Sequence, residues 1–241
     1  MNRLFLFFLI PVFFLPTACK QDVCEPLAAT AETLFILPLG DSRVEGYRPA
    51  HESYRYSLWK LLIENEWDVD FIGSRKDNAM YEAVNLLCFD NEHEGTGGAM
   101  TTDILATLAA INLDRTPDIA LLGIGGNDLL DGELPPIEVV DNLREIIDAL
   151  QTINPEITIL LEEIAPGRSD IMTAEFTSTF NQFNQMVGML EDLNGSSKVV
   201  VIDMAEDWKD TYMADNVHYN LGGAEVVAQR YFQAMQTHVV R

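Results

Sequence analysis

Cysteine, histidine and positive charge are scarce in this chain of 241 residues, and each scarcity excludes something. Fifteen Lys and Arg stand against 38 Asp and Glu, a formal net charge of −23. A surface so acidic repels nucleic acid and anionic lipid headgroups, which removes those partners from consideration. It suits neutral or cationic substrates, and it also simply keeps a protein in solution. The histidines, His51, His93, His218 and His238, show no metal-ligand spacing, so neither a metal nor another cofactor is expected. No internal repeat or low-complexity tract is visible, so one domain is the default at this length. Beyond the first 18 residues no stretch is apolar enough to cross a membrane.

Those first residues are different. Arg3 precedes an almost unbroken apolar run from Leu4 to Leu15, and the small residues Thr17 and Ala18 stand before Cys19. A basic start, a short apolar core and a small-residue cleavage site predict an export signal over residues 1–18. The cysteine directly after the small residues resembles the bacterial lipobox, although Pro16 stands where Leu is usual. The resemblance implies that Cys19 is lipidated and that the mature protein sits in the cell envelope. Simple cleavage and release is the alternative. Residues 19–32 predict a tether and residues 33–241 the domain. Export permits a Cys24–Cys88 disulfide, and a buried free thiol at Cys88 fits the sequence equally well.

Within the domain, apolar strands alternate with amphipathic helices. "TLFILPL", "VDFIG", "DIALLGIG", "EITILLEEI" and "KVVVID" read as strands. "SYRYSLWKLLIENE", "TTDILATLAAIN", "PPIEVVDNLREIIDALQTIN", "TAEFTSTFNQFNQMVGMLEDLN" and "NLGGAEVVAQRYFQAMQTHV" carry helical spacing. Thr101 or Thr102 is the expected N-cap of the second helix. Residues 73–100 read as one long irregular stretch. This alternation predicts parallel βαβ units, hence an α/β/α sandwich of three layers around about five parallel strands. In such sheets the chemistry gathers at the C-terminal strand ends.

At those ends stand Gly40-Asp41-Ser42, Gly125-Gly126-Asn127-Asp128 and, before the last helix, Asp215 and His218. A serine hydroxyl needs a base to take its proton, and the base needs an acceptor to orient it. Asp215 and His218 are three apart, which on a helical turn would put acid and base on one face. No Gly-x-Ser-x-Gly elbow surrounds Ser42. Donors for a developing oxyanion can come from the Ser42 N–H, a glycine of "HEGTGGAM" with Gly98 preferred over Gly95 and Gly97, and the Asn127 amide.

Together these four blocks, in this order, resemble those of the SGNH (GDSL) hydrolase superfamily over roughly residues 34–238. The resemblance implies a flavodoxin-like sandwich and serine esterase chemistry. It implies Ser42 as nucleophile, His218 as base, Asp215 as orienting acid, and Ser42, Gly98 and Asn127 as oxyanion donors. "LPLGDSRVEGYR" and "HEGTGGAMTTDI" are further similar to carbohydrate esterases of family three, which include acetylxylan esterases. Arg43 departs from the aliphatic residue usual after the serine, and Ala99 stands where an aromatic is frequent.

Each residue also has a plainer reading. Ser42 alone is a turn serine, and Asn127 with Asp128 a turn or cap. Asp128 is expected to be structural, Asp41 to hold the turn through an Asx-type bond, and His93 and Glu94 to be solvated loop residues. The combined expectation is an exported serine esterase removing a short acyl group, acetyl foremost, from a small-molecule or glycan ester. A lysophospholipase or thioesterase, or a non-catalytic glycan-binding lipoprotein, are the alternatives. Arg43 to Tyr47 are expected to help choose the substrate.

Overall fold

The computed structural model describes residues 24–193 and 198–239. The expected export signal and Cys19 lie outside these residues.

Seven strands form the sheet: β1 (Leu34–Gly40), β2 (Val69–Phe71), β3 (Arg75–Lys76), β4 (Glu92–Gly95), β5 (Ile119–Gly123), β6 (Thr158–Glu163) and β7 (Val199–Asp203). All pairings are parallel except β3 with β4. On one edge of β1, β2 pairs with Leu34–Ile36 and β4 with Leu39–Gly40. These two short strands share one lane, and β5, β6 and β7 follow on the other side. Counted by lanes, this is the flavodoxin-like order expected from the sequence.

Alternate strand residues point to opposite faces. Ile36, Leu121 and Leu160 pack with α2 (Tyr54–Glu64) and α8 (Leu221–His238). Leu37, Leu39, Ala120 and Leu122 pack with α3 (Thr101–Ala110), α5 (Pro136–Ile153) and α6 (Ala174–Gly188). Both faces are covered, so β5 is apolar at every position, as a strand between two helical layers must be. The remaining helices are short: α1 (Ser42–Glu45), α4 (Gly126–Asp131) and α7 (Leu190–Leu193).

The stretch expected to be irregular contains β3 and β4. His93 and Glu94, expected to be solvated, are each only 2% exposed. Each makes a local hydrogen bond: Glu94 accepts from the Ser74 N–H, and His93 Nδ1 from the Gly95 N–H. A strand of charged residues can therefore be buried without apolar alternation. The start of α3 also differs from expectation. Met100 is the N-cap, and its N–H donates to Asp103 Oδ2 at 2.9 Å. Thr101 is instead buried, and its hydroxyl donates to Asp128 Oδ1 at 2.6 Å, joining α3 to α4.

Cys24 and Cys88 form a disulfide across 64 positions, so Cys88 is not a free thiol. Beside it the Glu25 N–H donates to Leu86 O and the Cys88 N–H to Glu25 O. The hydroxyls of Thr30 and Thr33 both donate to the Asp68 carboxylate, at 2.6 and 2.7 Å. The segment expected as a tether is thus held to the body from Cys24 onward.

Candidate active site

At the C-terminal end of β1 the chain must turn sharply while α1 stays close to the sheet. Gly40 lies in register with Gly95 on one side and Gly123 on the other. A Cβ on Gly40 would stand 2.1 Å from Gly123 O, and one on Gly95 would stand 2.4 Å from Glu45 N. Only hydrogen fits at either place, and that absence of side chains lets α1 close over the strand ends. Asp41 caps α1 as expected, its Oδ1 accepting from the Arg43 N–H at 2.9 Å. Burial raises the Asp41 carboxyl, against the opposing pull of Arg43. Ser42 is the first residue of α1, where backbone N–H groups have no partner within the helix.

Asp215 and His218 reach Ser42 from the loop before α8. They do not share a helical turn, because the backbone here is an irregular bend. The bend is closed by the Ala214 N–H donating to His218 O at 2.8 Å. Asp215 Oδ1 accepts from the N–H groups of Val217 and His218, at 2.9 and 2.8 Å. Its Oδ2 lies 2.7 Å from His218 Nδ1, and His218 Nε2 lies 2.9 Å from Ser42 Oγ. Partial burial acts to raise the Asp215 carboxyl, but the bonds from Val217 and His218 outweigh it and hold it at about 2. An ionised carboxylate on Nδ1 fixes the tautomer that leaves Nε2 free to take the serine proton.

The loop carrying Gly98 is pinned on both sides of the site. The Thr96 N–H donates to Gly40 O at 3.0 Å, and Asn127 Nδ2 donates to Ala99 O at 2.9 Å. Gly95 and Gly97 spend their N–H groups on His93 Nδ1 and on Glu45 Oε2. Among the described residues the Gly98 N–H donates to no protein group, and Gly98 has φ +75°, a region that favours glycine. Asn127 lines the same cavity as Ser42, whereas Gly98 borders the next groove along the surface. Asp128 accepts from both the N–H and the hydroxyl of Thr101, a structural role as expected.

Beside Ser42 the cavity measures about 30 Å³ and is walled by Leu130, Ile164, Ile171, Phe176 and Phe180. One water-sized group occupies ~10–15 Å³ on this measure, so the space takes an acyl group of a few heavy atoms.

Two features of the site were not foreseen. His51 stacks on His218, with ring centroids 4.0 Å apart. Arg43, expected to help choose the substrate, is instead engaged within the protein. Its Nε donates to Val217 O at 2.8 Å and its Nη1 to Ala165 O at 2.5 Å, and its guanidinium lies 4.9 Å from the Tyr219 ring centroid. It ties the start of α1 to the loop that carries His218. The unusual charge after the serine was the visible signal for Arg43. His51 offered none, since its position depends on the Glu52 N–H pairing with Tyr219 O.

Known proteins resemble this chain in sequence and in fold. The curated "Multidomain esterase" of Ruminococcus flavefaciens is 25% identical over 232 residues, covering 87% of this chain. The chain spans only 29% of that relative's length. Solved structures share the fold. A carbohydrate esterase family 3 protein from Talaromyces cellulolyticus superposes with TM-score 0.70 at 20% identity, covering 85% of this chain and 97% of its own. A family 3 carbohydrate esterase from Clostridium thermocellum gives 0.68 at 24% identity, covering 85% and 96%. The model of the GDSL-like lipase/acylhydrolase family matches residues 39–226. With more than three quarters of its length in that match, the chain belongs to the GDSL-like lipase/acylhydrolase family.

Proposed function

We propose that this protein is a serine esterase that removes a short acyl group, acetyl foremost, from a carbohydrate. The observation that carries the reading is Ser42 Oγ at 2.9 Å from His218 Nε2, beside a small apolar cavity. His218 takes the Ser42 proton as the oxygen attacks the ester carbonyl. The carbonyl oxygen gains the negative charge and is held by the N–H groups of Ser42 and Gly98 and the amide of Asn127, each such donor being worth ~10²–10³ in rate. His218 returns the proton to the sugar oxygen as the bond from the carbonyl carbon to it breaks, releasing the sugar hydroxyl and leaving an acyl-serine. Water, deprotonated by the same histidine, then releases the carboxylic acid and restores Ser42.

The carbohydrate assignment is supported by fold neighbours described as family 3 carbohydrate esterases. The small cavity supports a short acyl group over a lipid chain. In this reading the protein is exported and held at the cell envelope through lipid on Cys19, and no nucleic acid is a partner.

Acetate release from acetylated xylan, other acetylated glycans and peptidoglycan tests the assignment, with p-nitrophenyl acetate as general ester and Ser42→Ala as control. The variant is expected to lose ~10⁴-fold or more of its activity while remaining folded. Unchanged turnover by Ser42→Ala removes the mechanism. A preference for long-chain p-nitrophenyl esters replaces the carbohydrate reading with a lipid esterase or thioesterase. Glycan binding without turnover replaces it with a binding lipoprotein.

A further inference from the structure

One turn of helix beyond Ser42, a cleft of about 440 Å³ opens between the end of α1 and the 75–81 segment. Its near wall holds Tyr47, a residue 71% exposed whose ring lies 6.2 Å from that of His51, the residue stacked on His218. The cleft therefore begins two ring contacts from the catalytic base. An exposed aromatic face at such a rim suits the apolar C–H face of a sugar ring.

The charges lining this cleft are nearly all spent. Arg48 pairs with Glu52, and Lys76 pairs with Glu92. Asp77 accepts from Arg55, Tyr81 and the Ala79 N–H. Glu45 accepts from the Gly97 N–H. Arg75 is different. Every other described Lys or Arg has a carboxylate, carbonyl or aromatic partner. Among the described residues the Arg75 side chain has none, although the protein is strongly acidic and carboxylates are abundant. Arg75 also lines the groove on the far side, beside Gly98, so this one residue borders both depressions.

From this placement we infer that Arg75 is the anchor of a subsite for a uronic acid, whose carboxylate it holds while the neighbouring acylated sugar lies at Ser42. The inference rests on the carbohydrate reading above and narrows it to acidic glycans. A planar guanidinium offers paired N–H donors in the geometry of a carboxylate, which a neutral sugar cannot use. A net negative protein repels an acidic polymer at long range, so an unneutralised cation beside the site is where such a polymer gains a favourable contact.

The test uses two unacetylated xylo-oligosaccharides of equal length, one bearing a glucuronic acid branch, as inhibitors of p-nitrophenyl acetate hydrolysis. The acidic oligosaccharide is expected to inhibit the wild-type protein about two- to fivefold more tightly than the neutral one, as an exposed ion pair allows. That ratio is expected to shrink at ~0.5 M salt, to fall to near one in Arg75→Ala, and to be partly kept in Arg75→Lys. Equal inhibition of the wild-type protein overturns the subsite and leaves the carbohydrate reading standing. A ratio that Arg75→Ala preserves also overturns it. If neither oligosaccharide inhibits while p-nitrophenyl acetate is still turned over, the carbohydrate reading and the subsite fall together.

Discussion

His51 and His218 lie face to face, their ring centroids 4.0 Å apart and their planes 13° from parallel. In the proposed mechanism His218 becomes positive when it takes the serine proton, so the ring packed on it should be uncharged. Burial, and then the His218 charge, lower the His51 pKa below its ordinary 6.5. His51→Ala opens a gap beside the base and is expected to lower kcat about tenfold, since small misplacements of a catalytic group are costly. His51→Phe should restore most of that loss by refilling the stack. Equal activity of the two variants would show that the stack does not position His218.

The same shift has a consequence for stability. With its folded pKa below 6.5, His51 takes up its proton more readily in the unfolded chain, so it costs stability as pH falls through that value. His51→Phe should therefore lose less stability than the wild-type protein between pH 7 and pH 5, measured by denaturant midpoint.

Arg43 bonds two carbonyls, on Val217 and Ala165, with one planar group. Arg43→Leu restores the aliphatic residue usual in the family but releases the loop that carries His218. We expect kcat on p-nitrophenyl acetate to fall ~10–10²-fold, with KM changing less. Arg43→Lys should recover little, because an ammonium lacks the fork that reaches both carbonyls. Activity of Arg43→Leu within twofold of wild type would contradict this role.

Glu162 is buried beneath the site, where its Oε1 accepts from the Tyr231 hydroxyl at 2.7 Å. Burial pushes its carboxyl from 4.5 up to about 7, against the lowering effects of Tyr231 and Arg43. A carboxyl raised by folding stabilises the protein below its unfolded pKa, and that contribution is lost as pH rises through the folded one. Glu162→Gln should thus gain stability relative to wild type between pH 5 and pH 8, by at most ~3 kcal/mol at 1.36 kcal/mol per pKa unit. Denaturant unfolding at the two pH values measures it, and a difference that does not change with pH would refute it.

The Cys24–Cys88 bond closes a loop of 64 positions that contains β1, α2 and β2. Removing it with Cys24→Ser/Cys88→Ser is expected to cost ~2–4 kcal/mol. Neither cysteine lines the Ser42 cavity, so kcat should hold. A double variant with an unchanged denaturant midpoint would show that the crosslink constrains only a local segment.

Much of the fold could be read because its elements are long and apolar. β1, β5, β6, α5 and α8 combine strong periodicity with clear ends. β3 and β4 are not legible in the sequence because Glu92, His93 and Glu94 break every apolar pattern, and the burial of the last two goes with bonds to Ser74 and Gly95 rather than with neighbours along a face. The short helices α1 and α4 are likewise set by tertiary contacts. At the site, Ser42, Asp215 and His218 were legible through motif spacing, although the bend that joins the last two is not helical. His51 and the bonds of Arg43 depend on chain segments more than 160 positions apart meeting at Tyr219 and Val217, which no local pattern encodes.

The disulfide also measures a leash. With lipid on Cys19, five residue steps separate the anchor from Cys24, where the body begins. Extended chain covers at most ~18 Å over that distance. Its bonded partner Cys88 lies on the excursion between β3 and β4, whose first residues wall the Arg75 cleft. An esterase anchored as proposed would stay close against its bilayer and would work on glycan that reaches the membrane surface, or on fragments small enough to diffuse there.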